Sequence, residues 1–431
     1  MTQSPTVSLV IVSRKRRSSL RRTLAALRFQ TFENFEVVVV SDAPDSGFLN
    51  DLPFAQNICH LHFDEPNISA ARNIGIAASR GDIIAFCDDD AVPDPCWLER
   101  LIAPFEHPNV ASAGGFVRAR NGIEYQWKAL LTDCCGDDSP LTVDEDTPFT
   151  AVVFDGTRCA KLQGTNCAFR KTALDQVGGF DDGIRFFLDE TDVCWRLALA
   201  GYDSAFVPMA QVHHGFAASE HRSADRAPKS LTELGASKAR FLNKHAEPAL
   251  HAGSIQLVIQ EQRNRLIALM VDGRIEPRDV ARLMTSLQDG LGEVRTETAQ
   301  QPQTMTSRSF TRFGHTRPDR FLVLGGSTLS KRKLLKKVKK NTEINLPQLV
   351  MIFSITSLFH RRDFDAQGFW VHSGGIFGRF NRSDPLFRFV RLNERIKIEF
   401  ERAKTVFPGT ELRTIKIFRN FVLEMTKTGS S

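Results

Sequence analysis

Three consecutive aspartates, Asp88, Asp89 and Asp90, follow the apolar run "IIAFC" and precede "AVPDP". Alternate side chains share a face in extended backbone, so Asp88 and Asp90 are expected to point one way and Asp89 the other. Two carboxylates held that close repel each other unless a cation lies between them. A hard divalent ion, Mg²⁺ or Mn²⁺, takes such oxygens together with those of a phosphate group. The bland alternative is a solvated acidic turn stopped by proline. Placement at the end of a buried strand favours the ion.

A second acidic group, Asp189, Glu190 and Asp192, opens a predicted helix. One acid there serves the helix dipole and the free N–H groups. Two adjacent acids exceed that need and leave one to act as a general base. A third feature is "QVHHG", where His213 follows an apolar segment and is the candidate third ligand of a divalent ion. His213 and His214 face opposite sides of an extended chain, so at most one of them can serve.

These groups need a scaffold. "VSLVIV" (7–12), "FEVVVVSD" (35–42) and "DIIAFC" (82–87) read as strands buried on both faces of a parallel sheet, with helices at 20–27 and 68–79 between them. Ligands of open α/β sheets bind beyond the carboxyl ends of the strands. Ser13, Asp42 and the aspartates all stand at such ends. Residues 133–158 read as an acidic loop, followed by strand, helix, Gly-Gly turn, helix and strand to about 208. Residues 226–300 read as helical and polar apart from "IQLVIQ", and 297–318 as a linker. "FLVLGG" and "LVMIFSIT" read as strands and 391–406 as a helix. The segment 369–388, rich in aromatics, glycine and cations, reads as a hairpin in preference to an acceptor groove.

The chain has 431 residues and ordinary globular composition, enough for two or three domains. Charge is uneven: residues 305–431 carry 25 Lys+Arg against 10 Asp+Glu, and the remainder 31 against 40. All eight cysteines lie in the first half without a Cys-x-x-Cys pair, which points to reduced, structural thiols. There is no signal-peptide pattern and no apolar stretch of spanning length, so a cytosolic protein is expected.

The stretches "VSLVIVSRKRRSSLRRTLAALRFQTFENFEVVVVSDA", "NISAARNIGIAASRGDIIAFCDDDAVPDPCWLERL" and "GTNCAFRKTALDQVGGFDDGIRFFLDETDVCWRLALAGY" resemble, in order over about 7–220, the family-2 glycosyltransferases. The resemblance implies a GT-A nucleotide-diphospho-sugar transferase fold, with a Rossmann-like parallel-rich sheet over 1–225. A helical extension then occupies 226–304 and a basic mixed α/β region 305–431. It implies that Asp88 and Asp90, with His213, hold Mn²⁺ or Mg²⁺. Ser13, Arg16, Asp42, Arg72, Asp88 and Asp89 would meet the donor. Glu190 takes the base position, with Asp189 the alternate because the usual Glu-Asp order is inverted here. The first-strand loop, Ser13-Arg14-Lys15-Arg16, departs from the Thr-Tyr-Asn-Arg of many members. The implied reaction is an inverting, non-processive transfer from a nucleoside-diphosphate sugar, UDP-linked by preference. A glycan or lipid-linked acceptor in cell-surface glycan synthesis would receive the sugar.

The basic helix "KRKLLKKVKK" (331–340) has an apolar stripe that suits either a solvated helix over a small core or peripheral contact with an anionic membrane. No nucleic-acid motif accompanies it. Two rival readings use the same residues: a metal-dependent nucleotidyltransferase, which would want a glycine-rich phosphate loop, and a non-catalytic carbohydrate-binding or scaffold protein.

Overall fold

The computed structural model describes every residue except 1–3, 51, 216–222, 224–226, 294, 296–307, 315–319, 343–347, 381–383, 407–409, 418–419 and 428–431. Its first part runs Val7–Ser13 (β1), Arg17–Leu27 (α1), Phe35–Ser41 (β2), Ala43–Asn50 (α2), Ile58–His62 (β3), Ile68–Ala78 (α3), Ile83–Cys87 (β4), Ala91–Pro93 (β5), Trp97–Ile102 (α4) and Val110–Arg118 (β6). Next come Tyr125–Trp127 (β7), Leu130–Asp133 (β8), Asp138–Pro140 (β9), Thr150–Val152 (β10), Arg158–Lys161 (β11), Asn166–Arg170 (β12), Lys171–Gln176 (α5), Asp189–Leu199 (α6) and Asp203–His214 (β13).

Sheet order is β10-β13-β6-β12-β4-β1-β2-β3, with β5 on β13 and β7 on β6. Strands β4, β1, β2 and β3 are parallel, and β12 runs antiparallel between β4 and β6. The β-branched runs of β1 and β2 are buried on both faces. Leu20, Leu24 and Leu27 of α1 pack with Leu9, Val37 and Val39 on one side; Ala71 and Ile76 of α3 pack with Val10, Val38 and Val40 on the other. Each fully buried Leu contributes roughly 2 kcal/mol of transfer free energy. The approach of α3 is close: a Cβ at Gly75 would stand 2.4 Å from Val10 Cγ1.

Three helices follow, Thr232–His245 (α7), Pro248–Val271 (α8) and Pro277–Leu291 (α9). "IQLVIQ", the exception within the helical and polar stretch, lies inside α8, where Val258 alone of the run is buried against the α7–α9 cluster. The described part of the expected linker is docked: Phe313 packs on Phe35 and Phe54, and Arg308 pairs with buried Glu36.

The C-terminal region comprises Arg320–Ser327 (β14), Lys331–Thr342 (α10), Gln348–Ser354 (β15), Arg361–Asp365 (β16), Phe369–Gly375 (β17), Leu392–Lys404 (α11), Thr410–Ile417 (β18) and Asn420–Lys427 (β19). They form a second sheet, ordered β16-β17-β15-β14-β19-β18, with β14, β15 and β17 mutually parallel. The expected hairpin within 369–388 is corrected: Phe369–Gly375 is the second arm of a hairpin whose first arm is β16. For the basic helix the structure favours the first of its two readings, a helix over a small core. Leu334 and Val338 of its apolar stripe are buried against Leu322, Leu324, Val350 and Ile352, so the stripe itself is not open to a membrane. On the opposite face Ile396 and Phe400 of α11 share a core with Phe321, Val323 and Met351, and this core also takes in Ala26 of α1, Phe29 in the turn after it and Val92 of β5. The second sheet is thus packed directly on the elements that carry the acidic motif.

Candidate active site

β4 ends at Cys87, so the three aspartates sit on the rim beyond the parallel strands, between β4 and β5. Asp89 turns inward. Its Oδ2 accepts from Ser13 Oγ at 2.7 Å and its Oδ1 from Arg16 at 2.8 Å. Burial pushes Asp89 up to about 7; the Arg16 charge opposes this and the Asp90 charge adds to it. Thr23 fixes the turn by sharing its one hydroxyl proton between the carbonyls of Asp89 and Ala91, at 2.8 and 2.7 Å. Ser13 and Arg16, expected at the donor, therefore hold Asp89, although both also line the pocket described below.

Asp88 and Asp90 face a common space with a histidine, and that histidine is His214. Its Nε2 lies 3.1 Å from Asp90 Oδ1 and 3.9 Å from Asp88 Oδ2. Its Nδ1–H donates to Gln126 Oε1 at 2.9 Å, which turns the Nε2 lone pair toward the carboxylates. His213, the expected ligand, is directed elsewhere. Its Nε2–H donates to Asp94 Oδ1 at 2.9 Å and its ring packs on Trp370. The reason is register: β13 pairs antiparallel with β5, His214 opposite Ala91 and His213 opposite Val92, so alternation gives the Asp90 side to His214. Asp88, Asp90 and His214 offer ligand atoms within 4.8 Å of one another, a donor set of two carboxylate oxygens and one imidazole that suits a divalent ion. Two other such groups lie among the described residues. In one, Asp137 is taken by Lys238 and Ser254. In the other, the Glu399 carboxylate beside His360 and His372 takes Arg362.

Asp42 is buried after β2. One of its oxygens accepts from the Lys15 backbone N–H at 3.3 Å and the other has no hydrogen-bond partner. Arg72, on α3, is buried over the rings of Phe86 and Phe180 and paired with Asp189, with Glu190 Oε2 at 3.9 Å. Burial opposes its charge, but Asp189 and Glu190 prevail and raise its pKa. Two non-glycine residues in left-handed conformation, Phe187 (φ 74°) and Leu188 (φ 64°), precede Asp189 and aim the start of α6 at Arg72. Such backbone clusters at functional sites. Glu190 is the freer acid of the pair, and burial together with the Asp189 charge pushes it up to about 8 against the pull of Arg72. Asp192 points away from both. It binds Arg196, Lys244 and His245, an anchor between α6 and α7.

A pocket of about 160 Å³ opens beside these parts, lined by Ser13, Arg16, Asn67, Asp88, Asp89 and Phe186 among others. It runs from the ends of β1 and β4 to the Arg185-Phe186 approach to α6. The sequence offers His214 only as the less favoured member of the His-His doublet, and it gives no pointer to Thr23, Asp94 or Gln126. Only the His-His doublet carried a signal, because the other three act through contacts between distant segments.

Residues 8–178 match the family model described as Glycosyl transferase family 2. Over 219 residues the chain is 31% identical to the pre-mycofactocin glycosyltransferase of Mycobacterium tuberculosis, an overlap of 48% of this chain and 42% of that one. Over 250 residues it is 26% identical to the uncharacterized glycosyltransferase YwdF of Bacillus subtilis, covering 56% and 83%. A mannosyltransferase from Pyrobaculum calidifontis, solved with GDP-Man and Mn²⁺, aligns with a TM-score of 0.40 at 14% identity over 67% of this chain and 86% of its own. The N-terminal α/β domain is a family-2 glycosyltransferase domain. The chain spans less than half the length of the Mycobacterium relative.

Proposed function

We propose that the protein transfers a sugar from a nucleoside-diphosphate sugar to an acceptor hydroxyl, with inversion and one sugar per encounter. The observation that carries this reading is the meeting of two acidic groups around one buried guanidinium. Asp88 at the end of β4 and Asp189 and Glu190 at the start of α6 all bear on Arg72. Asp42, with an unpartnered buried oxygen, is suited to a donor N–H of the nucleoside. Asp88, Asp90 and His214 would hold Mn²⁺ or Mg²⁺, which when bound supplies positive charge for the diphosphate.

Glu190 accepts the proton of the acceptor hydroxyl as that oxygen forms its bond to the anomeric carbon. The bond from that carbon to the diphosphate oxygen breaks, and its electron pair leaves with the nucleotide. Asp189 is occupied by Arg72 and holds the guanidinium beside the site, so it acts as a positioning residue. A UDP-sugar donor and a glycan or lipid-linked acceptor in cell-surface glycan assembly complete the reading.

The test is release of nucleoside diphosphate from a panel of sugar nucleotides, with and without Mn²⁺, by the full chain and by Asp90→Asn. Metal-dependent release that the variant loses supports the proposal. Pyrophosphate in place of diphosphate marks a nucleotidyltransferase, and sugar binding without release marks a non-catalytic protein. Either of these results refutes it.

A further inference from the structure

The parallel strands β14, β15 and β17 end at one edge of the second sheet, and the loops leaving them carry apolar side chains into water. Leu329 is 96% exposed, Ile355 81% and Phe389 82%, and Leu358, Phe359, Leu386 and Phe387 are exposed beside them. These are seven of the fourteen large apolar side chains exposed among the described residues, gathered on three loops. Scattered exposure needs no explanation, but a contiguous patch marks an interaction surface. Between the loops lies an apolar groove of about 630 Å³, lined by Phe353, Ile355, Ile376, Phe377 and Phe389.

Cations border this edge. Residues 327–342 contain seven Lys and Arg and no acid. Lys331, Arg332 and Lys333 occupy the first turn of α10, where a helix dipole disfavours positive charge, so helix stability does not account for them. Arg388 and Arg391 alternate with Phe387 and Phe389. The acids of this edge are Glu394, on the groove rim, and Asp384, within 3.6 Å of Arg402.

We infer that this edge docks on an anionic phospholipid bilayer, with the loop tips entering the headgroup–acyl boundary and the cations meeting lipid phosphates. Apolar tips ringed by cations gain from both parts of such a surface. A second copy of the chain would bring two strongly basic regions together, and a nucleic-acid backbone offers no partner for Leu329 or Ile355. The inference rests on this surface alone and not on the reading of the active site.

The test is co-sedimentation of the full-length protein with vesicles of phosphatidylcholine alone and with phosphatidylglycerol added. Binding to the anionic vesicles is expected to be at least tenfold tighter and to weaken with salt. The Lys331→Gln, Arg332→Gln, Lys333→Gln variant is expected to lose about a hundredfold, each surface cation being worth about fivefold. Ile355→Ser, Phe389→Ser changes exposed positions only and is expected to lose vesicle binding with an unchanged melting temperature. Absence of binding to anionic vesicles, equal binding to neutral ones, or unaltered binding by both variants overturns the proposal. So does a dimer in solution that Ile355→Ser, Phe389→Ser dissolves without any vesicle binding, or preferential retention of an oligonucleotide.

Discussion

Replacing Asp189 by asparagine tests the division of labour between the two acids of α6. Asn keeps an oxygen for Arg72 but removes the like charge beside Glu190. Glu190 stands at about 8, raised first by burial and then by Asp189. Removing a neighbouring charge within a few ångströms shifts a carboxyl by about one unit or more, and here the shift is downward. A general base works deprotonated, so the rate rises with pH through this group. For the parent, kcat/KM for nucleoside-diphosphate release should climb to a plateau through a limb near pH 8, since this parameter reports the free enzyme. A one-unit drop raises the deprotonated fraction at pH 6.5 about eightfold. Normalised to its own plateau, Asp189→Asn should therefore show about eightfold higher relative activity at that pH. Glu190→Gln should flatten the profile and cost about 10²–10⁴ in kcat. A limb that stays near pH 8 or moves upward in Asp189→Asn refutes the coupling. Full turnover by Glu190→Gln refutes the base.

Three further outcomes are expected. His214→Ala should weaken Mn²⁺ binding, read by calorimetry or electron paramagnetic resonance, by about tenfold or more, whereas His213→Ala should leave it within about threefold. Asp192→Ala should lower unfolding free energy by about 2–3 kcal/mol in urea, less than a fully buried pair loses because Lys244 is partly in water. The Asp192 carboxyl is held below its ordinary value by His245, Arg196 and Lys244 against the cost of burial. Its contribution is therefore present above about pH 4 and lost as pH falls through the folded value. Asp42→Ala should raise the KM for the donor about tenfold with kcat little changed, as loss of one charge-assisted hydrogen bond does; a selective fall in kcat would contradict its assignment to the nucleoside.

Continuous β-branched runs made β1, β2 and β4 readable, because a strand buried on both faces leaves no other use for such residues. The acids at their ends followed from the same logic. Strand β3, "ICHLH", went unseen: it is a half-buried edge strand whose two histidines break the apolar pattern. The His213–His214 doublet was narrowed to one ligand by alternation, but the choice depends on β13's register with β5, which a single strand does not encode. The pairing of Arg72 with Asp189 spans 117 positions and needed the fold. The stripe of α10 was legible as apolar and as a cover for a small core, while the second sheet that supplies that core was not. Helical spacing defines a face without saying what covers it.

Phe29 and Val92, which sit in a core shared with the second sheet, bear on how the chain could be cut. A gene fragment stopping after β13 would retain every residue assigned to chemistry, yet it would strip the shelter from a strand that begins one residue past Asp90. Sequence motifs suggest a detachable catalytic module; the shared core makes the two halves one unit of manufacture. Such a fragment would be sticky in water and loose at its acidic rim.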